Sequence, residues 1–452
     1  MRALNSSIGI AFIIALYFGG MVAAYLVSGW AEGWFDGAGR LTNMVFLSVV
    51  FVMVMSASLT VADRKWGALM QNRMGPNRAR LALPWFSTHP FGGIPHLVAD
   101  AVKMLTKEAF IPATASKFLF NLAPVLGFAA VFALFAVVPA GPTVVVMNKV
   151  VSMVVATPDF GVLYLFAIAS LAVYGTSLAG WASNNKLSLL GGVRASSQMI
   201  SYEVALGLSL VGMMICFDTV RLSSDAATGA LGMTDAQARY LWQVAGWDLG
   251  LPAWGIFLQP VGFILFFAAA FAETKRAPFD VPEAESEILG YFVEYSGMQF
   301  GLFMIGEYVE VVILSGVITA VFLGGYHLPF GEAWILANVP YLRENGWLWG
   351  ALLATVFWIK VLFMAWLQLL VRWTFPRFRY DHIQRLGWKM LLPLGLMNLF
   401  VTAALILWDP SLRALAAVGF VEIGVVLALS MTTKAKAAVH DAPAHGVAAA
   451  HH

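Results

Sequence analysis

Ten apolar runs recur along this chain, each about the 20 residues that a bilayer's hydrocarbon core requires of a helix, and they leave room for few other folds. They lie near 8–29, 41–62, 117–139, 161–181, 195–216, 253–273, 297–324, 348–372, 387–408 and 412–431. A spanning segment satisfies its backbone N–H and C=O groups internally, so single runs of this length predict helices. The expected fold class is all-α, a polytopic transmembrane helix bundle. The first run follows Arg2 as a signal peptide would, but it is long and lacks a small-x-small site before Trp30, which makes it a retained helix.

Composition narrows the function classes. Of 452 residues 12% are charged, against about 25% in an ordinary soluble domain. A net charge of +2, with no Lys/Arg-rich block, argues against a nucleic-acid partner. The one cysteine, Cys216, excludes an internal disulfide and a cysteine-based zinc or iron–sulfur site supplied by this chain alone. GxxxxGK[ST], GxGxxG and HExxH patterns are missing, so no ATP, dinucleotide or catalytic-zinc site is expected and no metal is assigned. Any redox centre must belong to a partner.

Orientation follows from Lys and Arg. One set of connections carries sixteen, from Arg64 and Lys65 through Lys275 and Arg276 to Arg385 and Lys389; the alternate set carries six, Arg40, Lys149, Arg221, Arg239, Arg343 and Arg413. The first set, and both chain ends with it, is expected on the cytoplasmic side. Within it, Pro95–Glu108 reads as an amphipathic helix too short to span: Leu97, Val98, Ala101, Val102 and Leu105 form one face, Asp100, Lys103 and Lys107 the other. On spacing alone, Asp100 and Lys103 fit a solvated ion pair equally well. The far-side connections 217–252 and 325–347 are expected to be caps with short helices. The tail from Thr432 is low in complexity and expected to be disordered.

Charge is concentrated in Ala272–Gly297, which holds six acids, Glu273, Asp280, Glu283, Glu285, Glu287 and Glu294, between two apolar runs. Asp280 and Glu283 match a D-x-x-E capping box, so a helix start alone accounts for that part of the charge. The others remain unexplained by capping. Inside the apolar runs stand Glu203, Glu307, Glu310 and Lys360. A carboxylate at that depth costs a few kcal/mol unless it is paired, protonated or lining water, so these four are candidates for a proton path. Glu310, one turn from Glu307, is placed to share a proton with it, and Lys360 is the candidate cation for a buried pair.

Six stretches, in order, carry a resemblance: DRKWGALMQNRMGPNR at 63–78, ADAVKMLTKE at 99–108, GWASNNKLSLLGGVRASSQMISYE at 180–203, ETKRAPFDVPEAESE at 273–287, EYSGMQFGLF at 294–303 and RYDHIQRLGWKMLLPL at 379–394. The chain resembles the H-type membrane subunits of NADH:quinone oxidoreductase, respiratory complex I, whose mitochondrial counterpart is that enzyme's membrane subunit 1. That resemblance implies eight family helices, with extra ones at each end. It divides the chain into an N-terminal helix and link at 1–40, a quinone-site membrane domain at 41–408, a C-terminal helix at 409–431 and the tail at 432–452. It further implies a bacterial inner-membrane subunit, not catalytic alone, of a proton-pumping translocase. Quinone would be a non-covalent substrate, bound where this chain meets the peripheral-arm subunits that carry NADH, flavin and iron–sulfur clusters. The other membrane subunits and the lipid bilayer would be its remaining partners. The implied quinone-chamber and coupling residues are Arg64, Asp100, Lys103, Glu273, Arg276, Asp280, Glu283, Glu285, Glu287 and Glu294, leading to Glu203 and Glu307.

The chain departs from the family pattern at Asp63, where glutamate is usual, in a longer link at 81–95, in its far-side loops and at the added acid Glu310. An alternative is the membrane anchor of an energy-converting hydrogenase, which is similar around ETxRxPFDxPE; the long match at 180–203 and the GPNR segment favour the quinone enzyme. A stand-alone ion transporter is a third reading, and the lack of a visible inverted repeat counts against it.

Overall fold

The computed structural model describes residues 2–34, 37–76, 78, 93–225, 229–243, 250–281 and 290–440; at 2–14, 94, 243, 333 and 431–440 only the backbone is described. Helices dominate: α1 (Arg2–Ala31), α2 (Ala38–Met70), α3 (Ile94–Thr106), α4 (Lys117–Val137), α5 (Gly161–Ala182), α6 (Lys186–Phe217), α7 (Pro260–Glu273), α8 (Gly297–Phe322), α9 (Gly346–Thr374), α10 (Tyr380–Trp408) and α11 (Arg413–His440). Among the described residues, α2, α4, α5, α6, α8, α9, α10 and α11 are long and apolar enough to cross a bilayer, while α7 and Ala15–Ala31 of α1 are apolar but shorter. The all-α, multi-pass reading holds.

Helix α8 is the axis. Its apolar window is 83% buried, against 17% for α11, so α8 is enclosed by protein and α11 stands at the periphery. Around α8 pack α2, α4, α7 and α9, with α5, α6 and α10 stacked outward in turn. Helix α1 docks on α2 and α9, where Tyr17 and Trp358 both face Phe51, at 5.7 and 5.3 Å between ring centroids. Small residues permit a close crossing: a Cβ on Gly175 of α5 would sit 2.7 Å from the Gly127 Cα of α4, so the two backbones touch.

Several boundaries differ from the sequence reading: α2 runs on to Met70, α6 begins at Lys186 and α10 at Tyr380, and two further differences change the fold. The run 253–273 breaks into Gly255–Leu258 and α7 at Gln259–Pro260. Pro260 has no N–H to donate and opens α7, and Gln259 is out of helical geometry at φ −141°. Helix α7, with 14 residues, is about 21 Å long, shorter than a bilayer core. Gln259 Nε2 donates to Thr402 Oγ1 (2.6 Å) and its Oε1 accepts from Asn398 Nδ2 (3.2 Å), tying the break to α10. At the other end, the backbone of α11 continues to His440, past the expected end at 431, through Ala and Lys residues that favour helix. The rest of the expected disordered tail, 441–452, lies outside the described residues.

The side opposite the acidic loop carries the expected short helices, Met233–Ala236, Glu332–Asn338 and Pro340–Glu344. It also carries two hairpins that hydropathy did not signal, β1 (Val144–Val146) with β2 (Lys149–Val151) and β3 (Tyr240–Gln243) with β4 (Gly250–Pro252). In the first, Met147 and Asn148 turn at positive φ between β-branched strands.

Candidate functional site

The end of α2 and the interfacial helix α3 meet through charge. Arg64 Nη1 lies 2.7 Å from Asp100 Oδ2, and Lys103 Nζ donates to Asp100 Oδ1 at 3.0 Å. Partial burial pushes the Asp100 carboxyl up, but the Lys103 hydrogen bond and the Arg64 charge outweigh it and hold the group below its ordinary 3.8. The pair at i, i+3 is therefore part of a three-residue bridge between helices. Beside it opens a cleft of about 410 Å³ lined by Arg64, Lys103, Met104, Lys107, Tyr295, Ser296, Gly297, Phe300 and Met304. Its walls pair cations with aromatic rings and thioethers.

The acidic stretch begins inside the bundle. Glu273, Thr274, Lys275, Arg276 and Asp280 are all buried. Gln198 of α6 donates to the carbonyls of Ala272 (2.7 Å) and Phe279 (2.9 Å), which pins both ends of this turn. Arg276 lies over the Tyr308 ring at 3.5 Å, and Tyr308 donates to Asp63 Oδ2 at 2.9 Å. Asp63 also accepts from Arg372 and, at 2.8 Å, from Trp373 Nε1. Asp280 faces Arg377 at 3.3 Å. Glu283, Glu285 and Glu287 lie outside the described residues, as does the helix their capping box would start. Glu294 accepts from Asn185 Nδ2 at 2.7 Å.

Deeper in the bundle, Glu203 of α6, Glu273 of α7 and Glu310 of α8 line one cavity of about 30 Å³, room for about one or two waters. The remaining walls are apolar, among them Leu134, Phe166 and Phe266. Ser170 of α5 donates to Glu203. Glu310 faces Lys275, with Nζ 3.9 Å from Oε2. Oε2 of Glu273 and Oε2 of Glu310 have no hydrogen-bond partner among the described residues.

One expectation is corrected here. Lys360 is not paired with these carboxylates: its Nζ donates to the carbonyls of Leu323 (2.8 Å), Gly325 (2.9 Å) and His327 (2.6 Å) at the far end of α8 and lies over Trp254. Its flexible stem reaches the carbonyls left open where α8 stops. No hydrogen bond among the described residues joins Glu307 to Glu310; Glu307 accepts from Tyr291 (3.4 Å) instead. The Arg276 guanidinium stacks on Tyr308, and its Nε and Nη1 have no partner among the described residues, so its nearest observed partner is a ring rather than a carboxylate.

Residues 42–403 match the family described as NADH dehydrogenase. Among curated relatives, the H-type subunit of NADH-quinone oxidoreductase from Flavobacterium johnsoniae is 37% identical over 82% of this chain and 97% of its own length. "NADH-quinone oxidoreductase subunit 8" of Rhodothermus marinus is 40% identical over 80% and 96%. An H-type subunit of NADH-quinone oxidoreductase from Geobacter metallireducens is 40% identical over 81% and 96%. The chain belongs to the H-type subunit family of NADH-quinone oxidoreductase. It is a membrane subunit of complex I, and other subunits of that enzyme are its partners. The family match begins in α2 and ends in α10, leaving α1 and α11 outside it.

Within this complex I fold, the structure adds residues that the sequence reading did not select as site residues: Lys275, Tyr308, Tyr291, Tyr295, Ser170 and Arg372. Tyr308 directly follows Glu307, and Lys275 directly precedes Arg276, so both stood beside residues already singled out. Ser170 carried no signal, because a serine in an apolar helix ordinarily bonds its own preceding turn, as Ser170 also does to Phe166 O.

Proposed function

We propose that this subunit receives quinone in the cleft between α2, α3 and α8 and couples its reduction to proton transfer through the Glu203–Glu273–Glu310 cavity. The observation that carries this reading is the course of α8. Gly297, Phe300 and Met304 line the cleft, Glu307 follows, and Glu310 lines the cavity. From Gly297 to Glu310 the helix advances about 20 Å, so one rigid element joins the two spaces.

The cleft suits a quinone. Tyr295, Phe300, Met104 and Met304 offer apolar and aromatic surface to the ring and tail, while Arg64, Lys103 and Lys107 offer donors and positive charge to the carbonyl oxygens. Electrons come from a cluster in a partner subunit, with NADH and flavin further upstream in the peripheral arm. Two electrons and two protons convert quinone to quinol. The charge change at the cleft acts on Glu294, next to Tyr295 in the cleft wall, and through α8 on Glu307, Glu310, Glu273 and Glu203. Arg64 keeps Asp100 ionised between turnovers, and Arg377 is the ion-pair partner of Asp280. Lys360, capped by carbonyls at the far end of α8, is the cationic member of the path nearest the opposite surface.

The family supports a bacterial inner membrane, and the distribution of Lys and Arg supports an orientation with the acidic loop and both termini on the cytoplasmic side. Inverted membrane vesicles test the whole reading. NADH added outside should acidify the lumen. Glu203→Gln should lower quinone reduction and lumen acidification by at least about tenfold, while NADH oxidation by an artificial acceptor is retained. Equal loss of both activities means an assembly defect, and full pumping in the variant removes Glu203 from the path.

A further inference from the structure

Lys275 is an unusual residue for the place it occupies. It follows the last turn of α7 in left-handed conformation, at φ +56°, where glycine is the ordinary helix terminator. A lysine there gives up backbone ease, and its side chain, 6% exposed, is directed into the protein. Its ammonium stands 3.9 Å from Glu310 Oε2, beyond hydrogen-bond range, and its charge also acts on Glu273. Among the described residues neither buried Oε2 has a hydrogen-bond partner, and both carboxyls line the small cavity. The remaining charged neighbours are Glu203, which acts on Glu273, and Glu307 and Arg276, which act on Glu310.

One ammonium among three enclosed carboxyls satisfies only one of them at a time. Full ionisation of the rest is opposed both by desolvation and by mutual repulsion. We propose that Lys275 is a switching counter-ion, neutralising Glu310 or Glu273 in turn, and that each exchange moves one proton between those two carboxyls through the cavity. In one state Lys275 faces ionised Glu310 and Glu273 carries the proton. In the other the ammonium has turned to Glu273; the O–H bond of Glu273 is broken, one on Glu310 is formed, and the total charge of the cluster is unchanged. Glu203, which accepts from Ser170, is the third carboxyl on the cavity and supplies or receives the proton at its other side. Lys275 is thus a positioning residue acting through Glu310 and Glu273. This inference rests on the coupling reading above.

The alternative is that Lys275 only ends a helix and balances a buried charge. The assembled complex in inverted vesicles separates the two, with NADH oxidation by an artificial acceptor as the assembly control. Lys275→Gly suits the left-handed backbone, and Lys275→Gln/Glu310→Gln leaves no unpaired charge from this pair, so both avoid the obvious folding penalties. Switching predicts that each lowers protons pumped per NADH by at least about twofold at retained assembly, shifts the pH profile of quinone reduction, and that Lys275→Arg keeps near-native pumping. Native pumping and an unshifted profile in the double variant would overturn the proposal. If Lys275→Gly fails to assemble, the double variant decides. Loss of pumping in Glu203→Gln together with native pumping in the double variant sinks this inference alone; native pumping in both sinks the coupling reading as well.

Discussion

His327 sits on the far side between Asp235 Oδ1, 3.2 Å from its Nε2, and Glu332, 3.3 Å from its Nδ1. Burial pushes this imidazole down, but hydrogen bonds to Asp235 and Glu332 dominate and raise it from the ordinary 6.5 to about 9. A folded-state value above the unfolded one means that the contribution is fully present below about 6.5 and is lost as pH rises through about 9. Hydrogen exchange of residues 325–332 in the solubilised complex, corrected for intrinsic rates, should therefore speed up between those pH values. His327→Gln should remove that dependence; an unchanged profile in the variant would show that another group governs it. At this scale the sequence disclosed which residues carry charge and at what depth, and it did not disclose their partners. Asp63 and Tyr308 are 245 positions apart and Asp63 and Arg372 are 309 apart, and no local pattern encodes such contacts. Lys360 shows the same limit: hydropathy gives its depth, while its direction, toward three carbonyls, depends on where α8 ends.

The elements were legible wherever composition alone decides them. Runs of apolar residues became helices, and Leu105 and Val102 of α3, 70% and 52% exposed, form an apolar face available to the bilayer interface, as the spacing predicted. What escaped was geometry set by single residues, such as the break at Pro260 and the Met147–Asn148 turn. The α4–α5 crossing is of that kind. Gly175→Ala would place a Cβ 2.7 Å from one backbone atom and 2.8 Å from another, with no flexible side chain to yield. It should cost about 1–3 kcal/mol, read as a lower melting temperature of the purified complex. Gly207→Ala, with nothing closer than 3.8 Å, should be neutral or slightly stabilising. Equal melting temperatures for the two would mean that the crossing has slack.

The whole molecule is a bundle built around one buried helix, with a cationic, aromatic cleft beside one end and a carboxylate cavity further along. The family was readable from six ordered stretches, because those residues build the turn at 273–281, the α3 bridge and the α6 wall. The cavity was not readable, since it is closed by residues from separate helices that hydropathy marks only as apolar. Everything proposed for coupling depends on quinone entering the cleft and not some other face of the bundle. Photolabelling of the assembled complex with an azido-quinone tests that directly. Labels should fall on Met104, Tyr295, Phe300 or Met304 and disappear with excess unlabelled quinone; labels confined to exposed positions on other faces such as Phe400, Leu407 and Val421, and insensitive to that competition, would contradict the account.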